Sequence, residues 1–239
     1  MFEIKLEERW YEAIALRRSV RKFDAPPTDD QLLRIGSLAR QLSWQGIRIP
    51  LLQGPGLKGT IKGTDVYAVI VAAKDTMREQ EGYAGEAIAL ESASMGLGSC
   101  WLGAGFYKGV VRKAAKLKDG EDVHCVIAIG RYDAGAPVKR KRKPLQVTSG
   151  LTREQLQALP EWQRLALECA AAAPSALNLQ PWRFQAAQGA VQVLGRGLSL
   201  SYAPLDRGIA MLHAAIGAAR GGVSGTWRNI GEGWEFKAR

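Results

Sequence analysis

The chain has 239 residues, of which 46% are hydrophobic and 23% are charged. Such a composition is that of an ordinary globular protein, with one substantial core or two small ones, and it argues against disorder. No run approaches the roughly 20 apolar residues that span a bilayer. The N-terminus carries acidic residues instead of a basic segment followed by an apolar one, so we expect a cytoplasmic protein.

Cysteine and histidine are too sparse for the common metal and nucleophile sites. The three cysteines, Cys100, Cys125 and Cys169, lack Cys-x-x-Cys spacing and stand in apolar contexts, so we expect buried thiols. With His124 and His213 as the only imidazoles, the sequence shows no recognisable zinc site or Ser-His-Asp arrangement.

The net charge of +10 is concentrated in one stretch. Residues 108–143 contain eleven Lys or Arg against four Asp or Glu, and residues 139–143 form an unbroken basic run. Such a charge fits nucleic acid, a membrane surface or acidic small molecules. Taken alone, the run is typical of a solvated loop, and phosphate recognition is the less common outcome.

Hydrophobic periodicity, capping boxes and glycine-rich segments predict the helices, strands and loops in chain order. A helix over 7–18 is followed by a helix that begins at a capping box, Thr28 to Gln31, and continues to residue 42. Residues 44–64 show no period and predict a long loop. Buried strands are predicted over 65–73 and 123–130, with a helix from about 82 to 95 and a glycine-rich turn between them. A second capping box at Thr152, a helix over 161–173 and a strand over 190–194 follow.

Residues 17–23 place three arginines, a serine and a lysine at or just after the end of the first helix. A guanidinium presents a fork of donors that matches phosphate oxygens, and a serine hydroxyl adds a short bond to the same dianion. Basic residues at a helix C-terminus also complement the helix dipole, so a purely structural role stays open.

Residues 172–184 join an alanine-rich helix to a predicted strand through a segment rich in groups that can bond a ligand. Pro174 ends the helix, while Ser175 and Asn178 offer a hydroxyl and an amide in irregular backbone. The alternative is a helix-ending loop with Trp182 in the core.

These segments resemble those of FMN-dependent nitroreductases. Residues 17–23 fit Arg-Arg-Ser-Val-Arg-x-Phe, residues 96–103 fit Gly-Leu-Gly-Ser-Cys-Trp-Leu-Gly, and residues 174–182 fit Pro-Ser-x-x-Asn-x-Gln-Pro-Trp. Residues 142–145 fit the family's Arg-Lys-Pro-Leu stretch. The resemblance implies an α+β nitroreductase-like fold and hydride transfer from NADH or NADPH through FMN to a small acceptor such as a nitroaromatic compound or a quinone.

The resemblance also implies roles for individual residues. The predicted contacts to the FMN phosphate are Arg17, Arg18, Ser19, Arg21 and Arg142. The predicted contacts to the flavin ring are Gly103, Ala104, Pro174, Ser175 and Asn178. The sequence indicates no residue as a dedicated general acid or base, and no metal is expected.

A shift of 126 residues superimposes the second part of the sequence on the first. It aligns Gly82 with Gly208, Ala89 with Ala215, Ala93 with Ala219, Gly96 with Gly222 and Trp101 with Trp227. We therefore predict two half-domains, 1–150 and 151–239, which form a pseudo-dimer in one chain, as in the internally duplicated single-chain nitroreductases. Each flavin motif occurs once, so we expect one FMN per chain and favour a monomer, with a homo-oligomer left open.

Two other functions stay open. The chain would bind flavin for a specialised reaction, such as dehalogenation or flavin breakdown, or without turnover, because one fold supports many reactions. Alternatively, it is a basic module that binds nucleic acid or an acidic protein and keeps a vestigial site. Nucleic acid is the less favoured partner because the basic residues lack the interleaved aromatic side chains that stack on bases.

Overall fold

The computed structural model describes residues 4–43, 46–54, 61–133, 135, 141–196 and 201–239. The helices are α1 (Arg9–Leu16), α2 (Asp29–Gln41), α3 (Arg78–Ser94), α4 (Lys108–Ala114), α5 (Leu145–Ser149), α6 (Arg153–Gln157), α7 (Glu161–Ala171) and α8 (Ala203–Arg220). The strands are β1 (Ile47–Arg48), β2 (Leu51–Gln53), β3 (Val66–Ala73), β4 (Gly98–Leu102), β5 (Glu121–Gly130), β6 (Trp182–Ala187), β7 (Ala190–Gly195), β8 (Gly225–Asn229) and β9 (Gly233–Ala238).

The chain forms two compact units. Unit N comprises the described residues of Leu16–Met77 and Ala84–Val138, and unit C those of Met1–Ala15, Arg78–Tyr83 and Lys139–Arg239. Both units are discontinuous in sequence. The division into halves 1–150 and 151–239 stays a prediction.

Unit N is built on an antiparallel sheet with the strand order β1-β3-β5-β4, and β2 also pairs with β3. Strands β3 and β5 are buried over most of their length, as their unbroken apolar sequences predict. Their side chains pack with Phe23, Cys100 and Val111 in one core cluster. The capping box at Thr28 is present and begins α2, as predicted.

Two predictions for unit N were wrong. Residues 44–64 are not a loop throughout, because β1 and β2 lie within them and pair with β3. Residues 98–102, expected in a glycine-rich turn, form strand β4 against β5. A Cβ atom on Gly98 would lie 2.6 Å from Val20 Cγ2, so this glycine serves close packing within the strand.

Unit C is built on a second antiparallel sheet, with the strand order β6-β7-β9-β8. Trp182 and Phe184 are fully buried on β6, as expected for an apolar alternation that enters the core. The sequence predicted β7 but neither β8 nor β9, which follow α8.

Both sheets follow the same path. In each, a strand leads into a long helix, the helix into an edge strand, and the next strand enters between the first two: β3, α3, β4 and β5 in one case, β7, α8, β8 and β9 in the other. Mixed helices and antiparallel sheets give the predicted α+β class. The shared path supports the predicted duplication.

A crossing of helices within unit C follows the same shift of 126 residues. A Cβ atom on Gly82 of α3 would overlap the carbonyl oxygen of Leu205, and a Cβ atom on Gly208 of α8 would overlap that of Glu79. The two contacts are reciprocal, because Leu205 stands as far after Glu79 as Gly208 stands after Gly82. Reciprocal contacts of this kind characterise an isologous interface between equal partners.

The three cysteines are buried free thiols, as predicted. Among the helices described, none is long and apolar enough to cross a membrane.

Candidate functional site

The arginine segment begins where α1 ends and continues as extended backbone beside β4. Val20 N–H donates to Ser99 O at 2.9 Å, and Ser19 forms a parallel β-bridge with Ser99. Phe23 N–H donates to Lys62 O at 2.8 Å, which holds the far end of the segment. Unit N therefore brings the arginine segment against the glycine-rich strand, two of the elements that the sequence predicted for one site.

Arg17 points into unit N instead of into solvent. Its side chain is 3% exposed, and Nε lies 3.5 Å from Oε1 of the fully buried Glu86. Trp101 Nε1 donates to Oε2 of the same carboxylate at 2.8 Å. Glu86 thus joins the arginine segment to β4, and the sequence analysis did not identify it.

The donors around Arg17 are not all satisfied. Its Nε and Nη1 atoms, and Oγ of Ser99, are buried without a hydrogen-bond partner in the part of the chain that the structure describes. A buried donor without an acceptor is costly, and most such donors in proteins have a partner. An anion with several acceptor oxygens, such as a phosphate, fits this set of donors.

The other predicted residues of unit N lie nearer the surface. Ser19, Arg21 and Ala104 are exposed, and Arg18 and Gly103 are half-buried. Burial raises the pKa of the Cys100 thiol, and the charges of Arg21 and Arg17 counter this increase, which places both guanidinium groups within electrostatic reach of β4.

In unit C, the segment after α7 forms a compact loop around Ser175. Pro174 is buried, and Ser175 Oγ accepts a hydrogen bond from Gln180 N–H at 2.8 Å. Ala176 N–H donates to Oδ1 of Asp206, at the start of α8, at 3.0 Å. Burial raises the pKa of Asp206 to about 7, while the bond from Ala176 acts in the opposite direction.

This loop contains three non-glycine residues in the left-handed region. The φ angles of Leu177, Asn178 and Gln180 are 50°, 55° and 51°. Such a conformation costs about 1 kcal/mol or more per residue, and it persists where the surrounding contacts impose it. Leu177 is 91% exposed, so solvent and not the core faces its side chain.

Asn178 links the loop to the basic run. Its Nδ2 donates to Lys141 O at 2.8 Å, and its Oδ1 accepts from Arg142 Nη1 at 2.5 Å. Arg142 Nε also donates to Ala172 O at 3.3 Å. The structure therefore places Arg142 and Asn178 in direct contact, although the sequence assigned one to the phosphate and the other to the ring. Residues 139 and 140 of the run lie outside the described residues.

Sequence reasoning missed Glu86 and Asp206. Both are acidic residues whose neighbours three and four positions away in the sequence are apolar, aromatic or small, and this was the available signal. Among the described residues, no cluster of His, Cys, Asp and Glu could hold a metal ion.

Comparison with known proteins relates most of the chain to one family. A family model described as "Putative TM nitroreductase" matches residues 9–218. No curated protein matches the sequence.

Among solved structures, one described as a putative nitroreductase from Thermotoga maritima has a TM-score of 0.70 and 22% identity, and the match covers 98% of this chain and 96% of that chain. This likeness confirms the predicted nitroreductase-like fold. A nitroreductase family protein from Clostridium difficile 630 has a TM-score of 0.48 and 17% identity, with 60% of this chain and 97% of that chain covered. An FMN-dependent nitroreductase from Clostridium difficile R20291 has a TM-score of 0.45 and 22% identity, with 54% and 91% covered.

Proposed function

Since the chain belongs to the family described as "Putative TM nitroreductase", we propose that it is an FMN-dependent oxidoreductase that passes hydride from NADH or NADPH to a small acceptor, such as a nitroaromatic compound or a quinone. The observation that carries this proposal is the buried set of unsatisfied donors on Arg17 and Ser99, beside the exposed Ser19 and Arg21. Apart from the ion pair between Arg17 and Glu86, these buried groups have no partner in the described part of the chain, so the oxygens of a phosphate would complete their hydrogen bonds.

The proposed site residues have two roles, contact with the phosphate of FMN and contact with its ring. Arg17, Arg18, Ser19, Arg21 and Arg142 would bind the phosphate of FMN, and Gly103, Ala104, Pro174, Ser175 and Asn178 would contact its ring. FMN supplies the chemistry of accepting and donating hydride, so we assign no side chain as a general acid or base. The protein would bind and orient FMN. The left-handed backbone at Asn178 fixes the position of the side-chain amide of this residue.

Arg21 provides the sharpest test of phosphate binding, because its side chain is exposed and its removal leaves the core intact. We expect Arg21→Ala to weaken FMN binding by about ten- to a hundredfold, the usual range for a lost charged hydrogen bond. Lys22→Ala is the matched control, since Lys22 is an exposed neighbouring cation that does not belong to the motif. Fluorescence titration of FMN measures both. Equal affinities for parent and Arg21→Ala would contradict the assignment.

Turnover requires a separate measurement. After reduction of the bound FMN by NADH or NADPH without oxygen, reoxidation by nitroaromatic compounds and quinones reports whether electrons pass to an acceptor. Reoxidation by either class supports the enzyme. Bound FMN that neither nucleotide reduces would indicate a flavin-binding protein without this activity.

We also propose one FMN per chain, since the arginine motif and the Pro-Ser-x-x-Asn motif each occur once in the sequence. Titration should saturate near one FMN per 26.0 kDa chain in a preparation that light scattering shows to be monomeric. Saturation at two FMN per chain would contradict it.

A further inference from the structure

Two cations of unit C meet at the turn that follows Asn178. Lys143 Nζ donates to Leu179 O at 2.7 Å and to Gln180 O at 3.3 Å. Arg196, just after β7, donates its backbone N–H to Pro181 O at 3.2 Å. Three consecutive carbonyl groups therefore hold two basic residues at one place. Neither residue belongs to the predicted FMN contacts.

Carboxylates of the described residues do not balance the positive charge at this turn. Within unit C, Arg164, Arg207 and Arg228 each have a carboxylate partner, Glu168, Glu79 and Glu235 respectively. Within the described part of the chain, no carboxylate forms an ion pair with Lys143 or Arg196. Burial and the charge of Arg196 lower the pKa of Lys143, so the two cations are close enough to repel each other. Two neighbouring like charges without a counter-charge favour the binding of an anion.

The side chains of Lys143 and Arg196 differ in how firmly they are held, and a phosphate site can use both kinds of cation. Lys143 is fixed, because its ammonium bonds two carbonyl groups and its backbone N–H donates to Gln180 Oε1 at 2.8 Å. Arg196 is exposed, and its guanidinium has no partner among the residues that the structure describes. A fixed point charge beside an adaptable fork of donors suits the oxygens of a phosphate monoester.

We propose that Lys143 and Arg196 bind the 2′-phosphate of NADPH and so select NADPH over NADH as the hydride donor. This inference rests on the proposed function. The two nucleotides differ by that phosphate alone, so a site for it distinguishes them, whereas their common parts cannot. The phosphate of FMN has its own predicted contacts, and the turn that carries the cations directly follows the segment proposed to contact the flavin ring.

The test uses the purified protein with FMN bound. Calorimetric titration compares 2′,5′-ADP with 5′-AMP, which lacks the 2′-phosphate, and stopped-flow measurements compare reduction of FMN by NADPH and by NADH. We expect both comparisons to favour the 2′-phosphate by about tenfold or more, and Arg196→Gln to reduce this preference by about tenfold. Arg196→Lys should restore part of it. Lys237→Gln is the control, because it removes one exposed positive charge at the opposite end of the same sheet.

The outcomes separate this inference from the proposed function. Equal binding of 2′,5′-ADP and 5′-AMP would overturn the inference, while reduction of FMN by both nucleotides would leave the proposed function intact. Loss of FMN from Arg196→Gln with an unchanged preference would assign the pair to the flavin phosphate and also overturn it. A preference for 2′,5′-ADP in a protein whose FMN neither nucleotide reduces would support the anion site and contradict the proposed function.

Discussion

The two units share a strand path but differ at their matching tryptophans. In unit N, Trp101 donates a hydrogen bond to the buried carboxylate of Glu86, which also faces Arg17. In unit C, Trp227 packs edge-on against Phe236, with ring centroids 5.4 Å apart. The position that corresponds to Glu86 under the shift of 126 residues is Leu212, which is fully buried.

The comparison shows which features the two units share and which differ between them. The backbone path recurs in both units, and within unit C the packing around Gly82 recurs around Gly208, since both features depend on shape. The polar groups differ, and the buried charge pair of Arg17 and Glu86 belongs to unit N. Chemistry specific to one unit is therefore found among the residues that the two units do not share.

The strongest way to break the comparison is to give unit N the apolar residue of unit C. Glu86→Leu would leave the buried Arg17 without its carboxylate, and we expect a loss of about 3–5 kcal/mol in the free energy of unfolding. The double variant Glu86→Leu/Arg17→Met should recover much of this loss, because an apolar pair replaces the charges. Urea unfolding measures both. A single variant as stable as the parent would show that Arg17 can leave its buried position.

Asp206 offers a second contrast, because the corresponding residue of α3 is the uncharged Gln80. The pKa of Asp206 rises from 3.8 to about 7 on folding, so the folded state holds this proton more tightly. Its contribution to stability is thus present below about pH 4 and lost as pH rises to about 7. The difference in unfolding free energy between Asp206→Asn and the parent should grow by up to about 4 kcal/mol across this range. Denaturant unfolding at a series of pH values measures it, and a constant difference would contradict the burial effect.

The reciprocal glycines sharpen the comparison with a smaller effect. Gly82→Ala and Gly208→Ala each push a methyl group into a backbone carbonyl, and each should lose about 2 kcal/mol of stability. Gly36→Ala on α2 is the control, because its methyl would have 3.7 Å to the nearest atoms and should stabilise the helix by about 0.5–1 kcal/mol. Clearly unequal losses at Gly82 and Gly208 would show that the two positions are not equivalent.

The sequence predicted the elements whose signals are local. The capping boxes at Thr28 and Thr152, and the buried strands β3 and β5, depend on a few neighbouring residues. Strands β1 and β2 were missed because two or three residues show no period, and they form only where the edge of β3 pairs with them. The sequence of residues 98–102 is compatible with a turn or with a closely packed strand, since glycine serves both.

The candidate site likewise has features that the local sequence predicts and features that it does not. The residue types of the arginine segment and of Pro174–Asn178 indicate phosphate and amide chemistry, and the resemblance assigned their roles. The burial of Arg17 against Glu86 and the bond between Arg142 and Asn178 join residues that are distant in sequence. No local pattern contains such contacts, because tertiary packing decides which donor reaches which acceptor.

The buried cysteine thiols can report local opening of the protein, because a thiol reagent reacts with them only when they become exposed. A thiol reagent can modify Cys100 or Cys125 only when unit N opens, and Cys169 only when unit C opens. Under native conditions, labelling rates therefore measure how often each unit exposes its interior, without any added probe. Mass spectrometry of the labelled peptides would assign each event to its cysteine, and so distinguish two units that open together from two that open separately.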